Sequence, residues 1–162
     1  MPSTQDQLNP YAKLLGTLDP LQVIESTPAT LARLVRGADE DRLTRSPAPN
    51  KWSVRDILSH LADCEITFAF RLRQTVAESH HTIQPFDQEM WAHPYGAYSA
   101  RDALETFTTL RRWDVLFVRA VGASAVTKAV THPERGEMTF QTILETMGGH
   151  DINHIRQVEK LV

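Results

Sequence analysis

Gly148-Gly149-His150-Asp151-Ile152-Asn153-His154-Ile155-Arg156-Gln157 closes the chain with two histidines four residues apart. On a helix, both imidazoles leave one face with Cβ atoms about 5–6 Å apart. The flanks make this segment helical. Thr139 is an N-cap residue, and Phe140, Ile143, Leu144, Met147, Ile155, Val158 and Val162 recur at helical period behind it. His154 projects within that apolar stripe and His150 lies on its flank. Asp151 points inward, and Gln157 lies one turn from both histidines. Asp151 and Gln157 are therefore candidates for holding the imidazole N–H groups of a metal site.

A third histidine, His60, sits in Ser59-His60-Leu61-Ala62-Asp63. Its helix opens clearly. Ser53 is the N-cap, Asp56 completes a short capping box, and Trp52 with Ile57 forms a hydrophobic staple. Val54, Ile57, Leu58, Leu61, Phe68 and Leu72 mark one face. His60 falls at the wet edge of that face, beside Cys64. Cys64 is either a thiolate donor one turn from His60 or a small core residue.

Two further helices complete the pattern. Asp19-Pro20 and Thr27-Pro28 are both helix starts, so a short turn precedes a main helix from Pro28, which ends near Gly37. Ile24, Leu31, Leu34 and Val35 are its stripe. Ser46-Pro47-Ala48-Pro49-Asn50 is a stiff loop. Ser99 caps a helix that runs to Val121 before Gly122, with Ala103, Phe107, Leu110, Phe117 and Val121 inside. Asp114 shares that inner face, where a salt bridge outweighs a ligand-orienting role. Residues 79–98 form a long aromatic-bearing loop that can cover a site. Residues 122–138 are an aperiodic connection. Residues 1–18 are an irregular lead-in that packs Tyr11 and Leu14 on the body. Four long amphipathic segments and no strand define an all-α four-helix bundle, one domain over 1–162.

Bulk properties exclude several classes. The 162 residues suit one domain with a real core. The chain is 41% hydrophobic and 23% charged, which fits a folded soluble protein. With 17 Lys and Arg against 20 Asp and Glu the net charge is −3, so no basic excess drives nucleic-acid binding. No apolar run is long enough for a membrane span, and no signal peptide opens the chain. A single cysteine fits a reducing cytoplasm.

Trp52 through Glu65 resembles the second-helix signature of the DinB (DNA-damage-inducible) superfamily, and His150 through Gln157 resembles its closing motif. Asp19-Pro20 through Leu34, Pro85-Phe86-Asp87 with Trp91, and His132-Pro133 with Gly136 extend the resemblance, collinear over about 19–160. It implies a DinB-like bundle of up-down-down-up topology, a homodimer, and a divalent metal, zinc or nickel, on His60, His150 and His154. It also implies a small-molecule substrate. Members include bacillithiol S-transferases and a mycothiol-dependent maleylpyruvate isomerase. Many others carry the designation metal-dependent hydrolase with no known substrate.

Three histidines on one ion leave room for water or substrate, as in open zinc sites. Two enzyme classes follow, a hydrolase and a transferase that uses a low-molecular-weight thiol as cosubstrate. Glu65 and Asp87 are candidates for proton transfer, although a solvated or capping role is the commoner use of such acids. Arg111 and Arg156 are candidates for meeting an anionic substrate, against the commoner surface salt bridge. The alternative is a non-enzymatic metal- or ligand-binding bundle that acts as a dimer in stress response. His80, His81, His93 and His132 read as solvated loop residues.

Overall fold

Four long helices carry the body of the protein in the computed structural model, which describes residues 9–79 and 81–162. They are α1 (Pro20–Leu34), α2 (Val54–Ala77), α3 (Ala100–Val121) and α4 (Phe140–Glu159). Each starts at a side-chain cap. Asp19 accepts from the Leu21 amide, Ser53 and Asp56 form the reciprocal box, Ser99 accepts from Asp102, and Thr139 pairs with Thr142. Such caps satisfy amides that the helix leaves free, at about 1 kcal/mol each. α3 stops at Gly122, whose φ of 56° favours glycine.

Side-chain pairs set the helix directions. Glu65 meets Arg111 and Arg73 meets Asp114, so α2 and α3 run parallel. His60 meets His154 while Phe68 meets His150, so α2 and α4 run antiparallel. Pro20 lies against Gly148, and Leu31 shares a core cluster with Val158, so α1 accompanies α4. This is up-down-down-up, with residues 78–99 as the long crossover. Two apolar clusters fill the bundle. Ile24, Phe68, Leu72, Phe140 and Met147 centre one, and Leu31, Leu58, Leu61, Phe107 and Val158 the other.

Four expectations need correction. Pro28 does not start a helix, because α1 runs unbroken from Pro20 to Leu34 with Pro28 inside. The carbonyl it strands, on Ile24, accepts from Arg111 at 2.9 Å instead. The 122–138 connection contains a hairpin, Ala129–His132 paired antiparallel with Gly136–Thr139. Four residues per strand are too few for an alternating pattern to stand out. On α3, Leu110, Phe117 and Val121 are only half-buried, and Arg111, Asp114, Val115 and Val118 take the inner positions. The crossover holds a helical turn at Gln88–Trp91, capped by Asp87. The lead-in is not irregular throughout, since Ala12–Leu15 form a helical turn. Tyr11 and Leu14 are half-buried as expected, and among its described residues Leu15 enters the apolar core. No described helix is long and apolar enough to cross a membrane.

Candidate metal centre

The antiparallel contact of α2 and α4 brings three imidazoles together. His150 Nε2 lies 3.1 Å from His60 Nε2 and 3.1 Å from His154 Nε2. Cys64 Sγ lies 3.4 Å from His60 Nε2 and 3.9 Å from His150 Nε2. The donor atoms of His60, Cys64 and His150 are all within 4.8 Å of one another, and His154 joins them through His150.

His60 is not at a wet edge. It is 2% exposed, because the Trp52 ring packs 4.7 Å from its own, centroid to centroid. Tyr11 meets the His150 ring edge-on at 5.3 Å. This contact explains Gly149, where a Cβ would stand 2.5 Å from the Tyr11 carbonyl oxygen. Burial disfavours charge on all three rings. Burial, then His154, drives His60 down to about 3. Burial, then His154, His60 and Arg111, holds His150 well below the ordinary range. Burial also lowers His154, against the pull of Gln157 and Asp151.

Three neutral imidazoles in this arrangement suit a cation. The Nδ1–H of His154 donates to Gln157 Oε1 at 2.8 Å, which leaves Nε2 as a bare lone pair facing His150. Were His150 Nε2 also bare, that contact would set one lone pair against another. A shared cation removes the conflict. Bonds of about 2.0–2.1 Å place nitrogens about 2.9 Å apart at right angles and about 3.4 Å apart in a tetrahedron. The observed 3.1 Å spacings fall between.

Behind the histidines lies a buried ionic cluster. Arg111, 2% exposed, binds Glu65 through two hydrogen bonds of 2.8 Å and binds both oxygens of Asp151. Burial alone would lower Arg111, but Asp151 and then Glu65 outweigh it and hold the guanidinium above its ordinary range. Burial pushes Glu65 up to about 7 against the opposing pull of Arg111. Glu65 is therefore neither solvated nor a cap, and its carboxylate is held by Arg111 rather than offered to a substrate. Arg111 directs its guanidinium at the Glu65 and Asp151 carboxylates and at the Ile24 carbonyl. Asp151 places its hydrogen bonds on Arg111 rather than on an imidazole. Gln157 does hold an imidazole N–H. Asp87 is an exposed cap, and Arg156 is exposed.

The remaining expectations divide. Asp114 is in a salt bridge, at 2.6 Å from Arg73. His93 is exposed, and His80 lies outside the described residues. His132 is buried, because the alternation of its strand turns it inward, and His81 is half-buried with both ring nitrogens enclosed. The sequence reading missed the packing of Trp52 and Tyr11 on the histidines. It also missed the Arg111 cluster. A signal existed, since Arg111 lies four residues after Phe107 and three before Asp114, on the inner face.

A cleft of about 500 Å³ opens onto the site. Its walls include Tyr11, Trp52, His60, His154 and Gln157, with Lys51 and Lys160 further along. Gln88 and Glu89 of the crossover also line it, so that loop does border the site. His150 and Cys64 are absent from its walls and lie on the inner side.

The chain has relatives of similar length. A protein of Bacillus mycoides named "Putative metal-dependent hydrolase" is 25% identical over 142 residues, covering 87% of this chain and 82% of its own. A protein of Oceanobacillus iheyensis with the same designation is 26% identical over 145 residues, covering 85% and 81%. YfiT from Bacillus subtilis, described as a probable metal-dependent hydrolase with an unusual four-helix bundle topology, superposes with a TM-score of 0.77. That comparison covers 87% of this chain and 84% of YfiT at 22% identity. The family model of the DinB superfamily matches residues 24–158, and the chain belongs to that superfamily.

Proposed function

We propose that this protein is a divalent-metal-dependent hydrolase of a small molecule that enters through the cleft. One observation carries the reading: the Nε2 atoms of His60, His150 and His154 cluster at the foot of an open cleft. The designations of the Bacillus mycoides and Oceanobacillus iheyensis relatives point the same way. His60, His150 and His154 would hold the ion, with zinc and nickel both suited to imidazole. A bound divalent cation supplies Lewis acidity, polarising a substrate oxygen and bringing the pKa of water toward about 7.

The chain's own residues do the rest. Gln157 fixes the tautomer and orientation of His154. Trp52 and Tyr11 shield the inner histidines from bulk water, so they stay neutral and able to donate lone pairs. Lys51 and Lys160 line the cleft and favour a substrate with an anionic or strongly polar group. Catalysis rather than structure is favoured because His60 and His154 border an open cleft through which a small molecule reaches the site.

Elemental analysis of purified wild type and of His154→Ala tests this. Wild type is expected to hold about one divalent ion per chain, and the variant to lose most of it. Ester and amide substrates, and separately a thiol with an electrophile, then distinguish hydrolysis from sulfur transfer. Equal metal content in the two proteins would overturn the proposal.

A further inference from the structure

We infer that the Cys64 thiolate is a fourth protein donor to the cation, on the side away from the cleft. The inference rests on the metal reading above and extends it to a residue of different chemistry. Cys64 is the only cysteine of the chain and is 6% exposed. Three observations support the assignment.

Spacing comes first. Zinc–nitrogen bonds of about 2.0–2.1 Å and zinc–sulfur bonds of about 2.3 Å put sulfur and nitrogen about 3.6 Å apart at tetrahedral angles. Cys64 Sγ lies 3.4 Å from His60 Nε2 and 3.9 Å from His150 Nε2, on either side of that value. The second observation is compactness, since His60, Cys64 and His150 form a donor set in which every pair is within 4.8 Å. The third is direction. The cleft is walled by His60 and His154 but by neither Cys64 nor His150. A thiolate at this position therefore leaves the cleft side for substrate as a fifth ligand, the expansion that catalytic zinc sites allow.

Binding forms a metal–sulfur bond and breaks the S–H bond. The proton leaves to solvent, and no oxidant or reductant is needed. A sulfur donor biases the site toward zinc, cobalt and copper and away from magnesium or calcium, which take oxygen ligands.

Cobalt(II) substitution tests this without any assay of activity. Metal-free wild type and Cys64→Ser are titrated with cobalt(II) and their absorption spectra recorded. Serine keeps the size of the side chain, and circular dichroism checks that the fold survives. Visible ligand-field bands report the histidine site, and a near-ultraviolet sulfur-to-cobalt charge-transfer band reports Cys64. The expected result is both bands in wild type, with only the charge-transfer band lost in Cys64→Ser. Ligand-field bands without a charge-transfer band in wild type would overturn the Cys64 assignment and leave the histidine site standing. A charge-transfer band that persists in Cys64→Ser would overturn it too. Absence of both bands from folded wild type would overturn this inference and the metal reading together.

Discussion

Arg111 donates to the backbone carbonyl of Ile24 at 2.9 Å, the oxygen that Pro28 leaves without its helical amide. The same guanidinium holds Glu65 and Asp151. One side chain therefore ties α1, α2, α3 and α4 together at a single buried point. Glu65 follows Cys64 in sequence and Asp151 follows His150, so this tie also sets the register of the two histidine-bearing helices.

Removing the tie leaves two buried carboxylates unpaired. Breaking a buried ion pair from one side costs about 3–5 kcal/mol, out of a total of about 5–15 kcal/mol for a domain. Arg111→Met is expected to lose that much stability in urea denaturation and to lose metal affinity as well. Arg111→Lys, which keeps the charge but not the planar fork, should fall between. A loss below about 1 kcal/mol in Arg111→Met would show that the cluster relaxes freely.

Gly148 and Gly149 offer a paired comparison. A Cβ at 149 meets the Tyr11 backbone oxygen at 2.5 Å, whereas a Cβ at 148 meets the Leu15 Cδ1 at 3.0 Å. A leucine methyl can swing aside and a backbone carbonyl cannot. Gly149→Ala should therefore cost about 1–3 kcal/mol and unseat Tyr11 from His150. Gly148→Ala should cost less. Thermal denaturation of the two variants side by side decides the order, and a reversed order refutes the role given to Tyr11.

The bundle was legible in the sequence because its long helices carry both period and caps. The Ser53 and Asp56 box and the Ser99 to Gly122 limits stand at the expected residues. Pro28 misled because its local cost is offset by a partner on another helix, which no window of sequence contains. The hairpin was hidden by its length. At the site, the four-residue spacing of His150 and His154 was visible, and so was the one-turn relation of His60 to Cys64. The pairing of Glu65 was not, because Arg111 stands 46 positions away. Period turns both residues inward, but it does not say which charge meets which.

Acid should destabilise the metal-free protein through its buried rings. His60 has an unfolded value near 6.5 and a folded value of about 3. Between these the unfolded chain binds more protons, so stability rises with pH. The contribution of His60 is present above about pH 6.5 and is lost as pH falls toward 3, by about 1.4 kcal/mol per unit at most. Glu65 acts in the opposite sense, since its raised value makes its contribution fade as pH climbs through about 7. Urea midpoints of chelator-treated wild type and His60→Gln at pH 7.5, 6, 5 and 4 isolate the histidine. The gap between them should shrink, or change sign in favour of the variant, on acidification. A gap independent of pH would show that His60 stays solvated.

Gln157 supplies the last test, because its side chain is hydrogen-bonded to the His154 ring. Its Oε1 accepts the His154 Nδ1–H at 2.8 Å and so keeps Nε2 free to donate its lone pair. Leucine at 157 is close in size and cannot accept a hydrogen bond. Gln157→Leu then lets His154 adopt either tautomer and turn about χ2. Partners of this kind are worth about 10–100-fold in metal affinity. Competition with a chelator should find zinc weakened by that factor while the thermal stability of the metal-free protein barely moves, since position 157 is exposed. Gln157→Glu, which also accepts and adds negative charge, should restore binding to wild type or better. Unchanged zinc affinity in Gln157→Leu would mean that packing alone orients His154, and that Gln157 contributes nothing to the site.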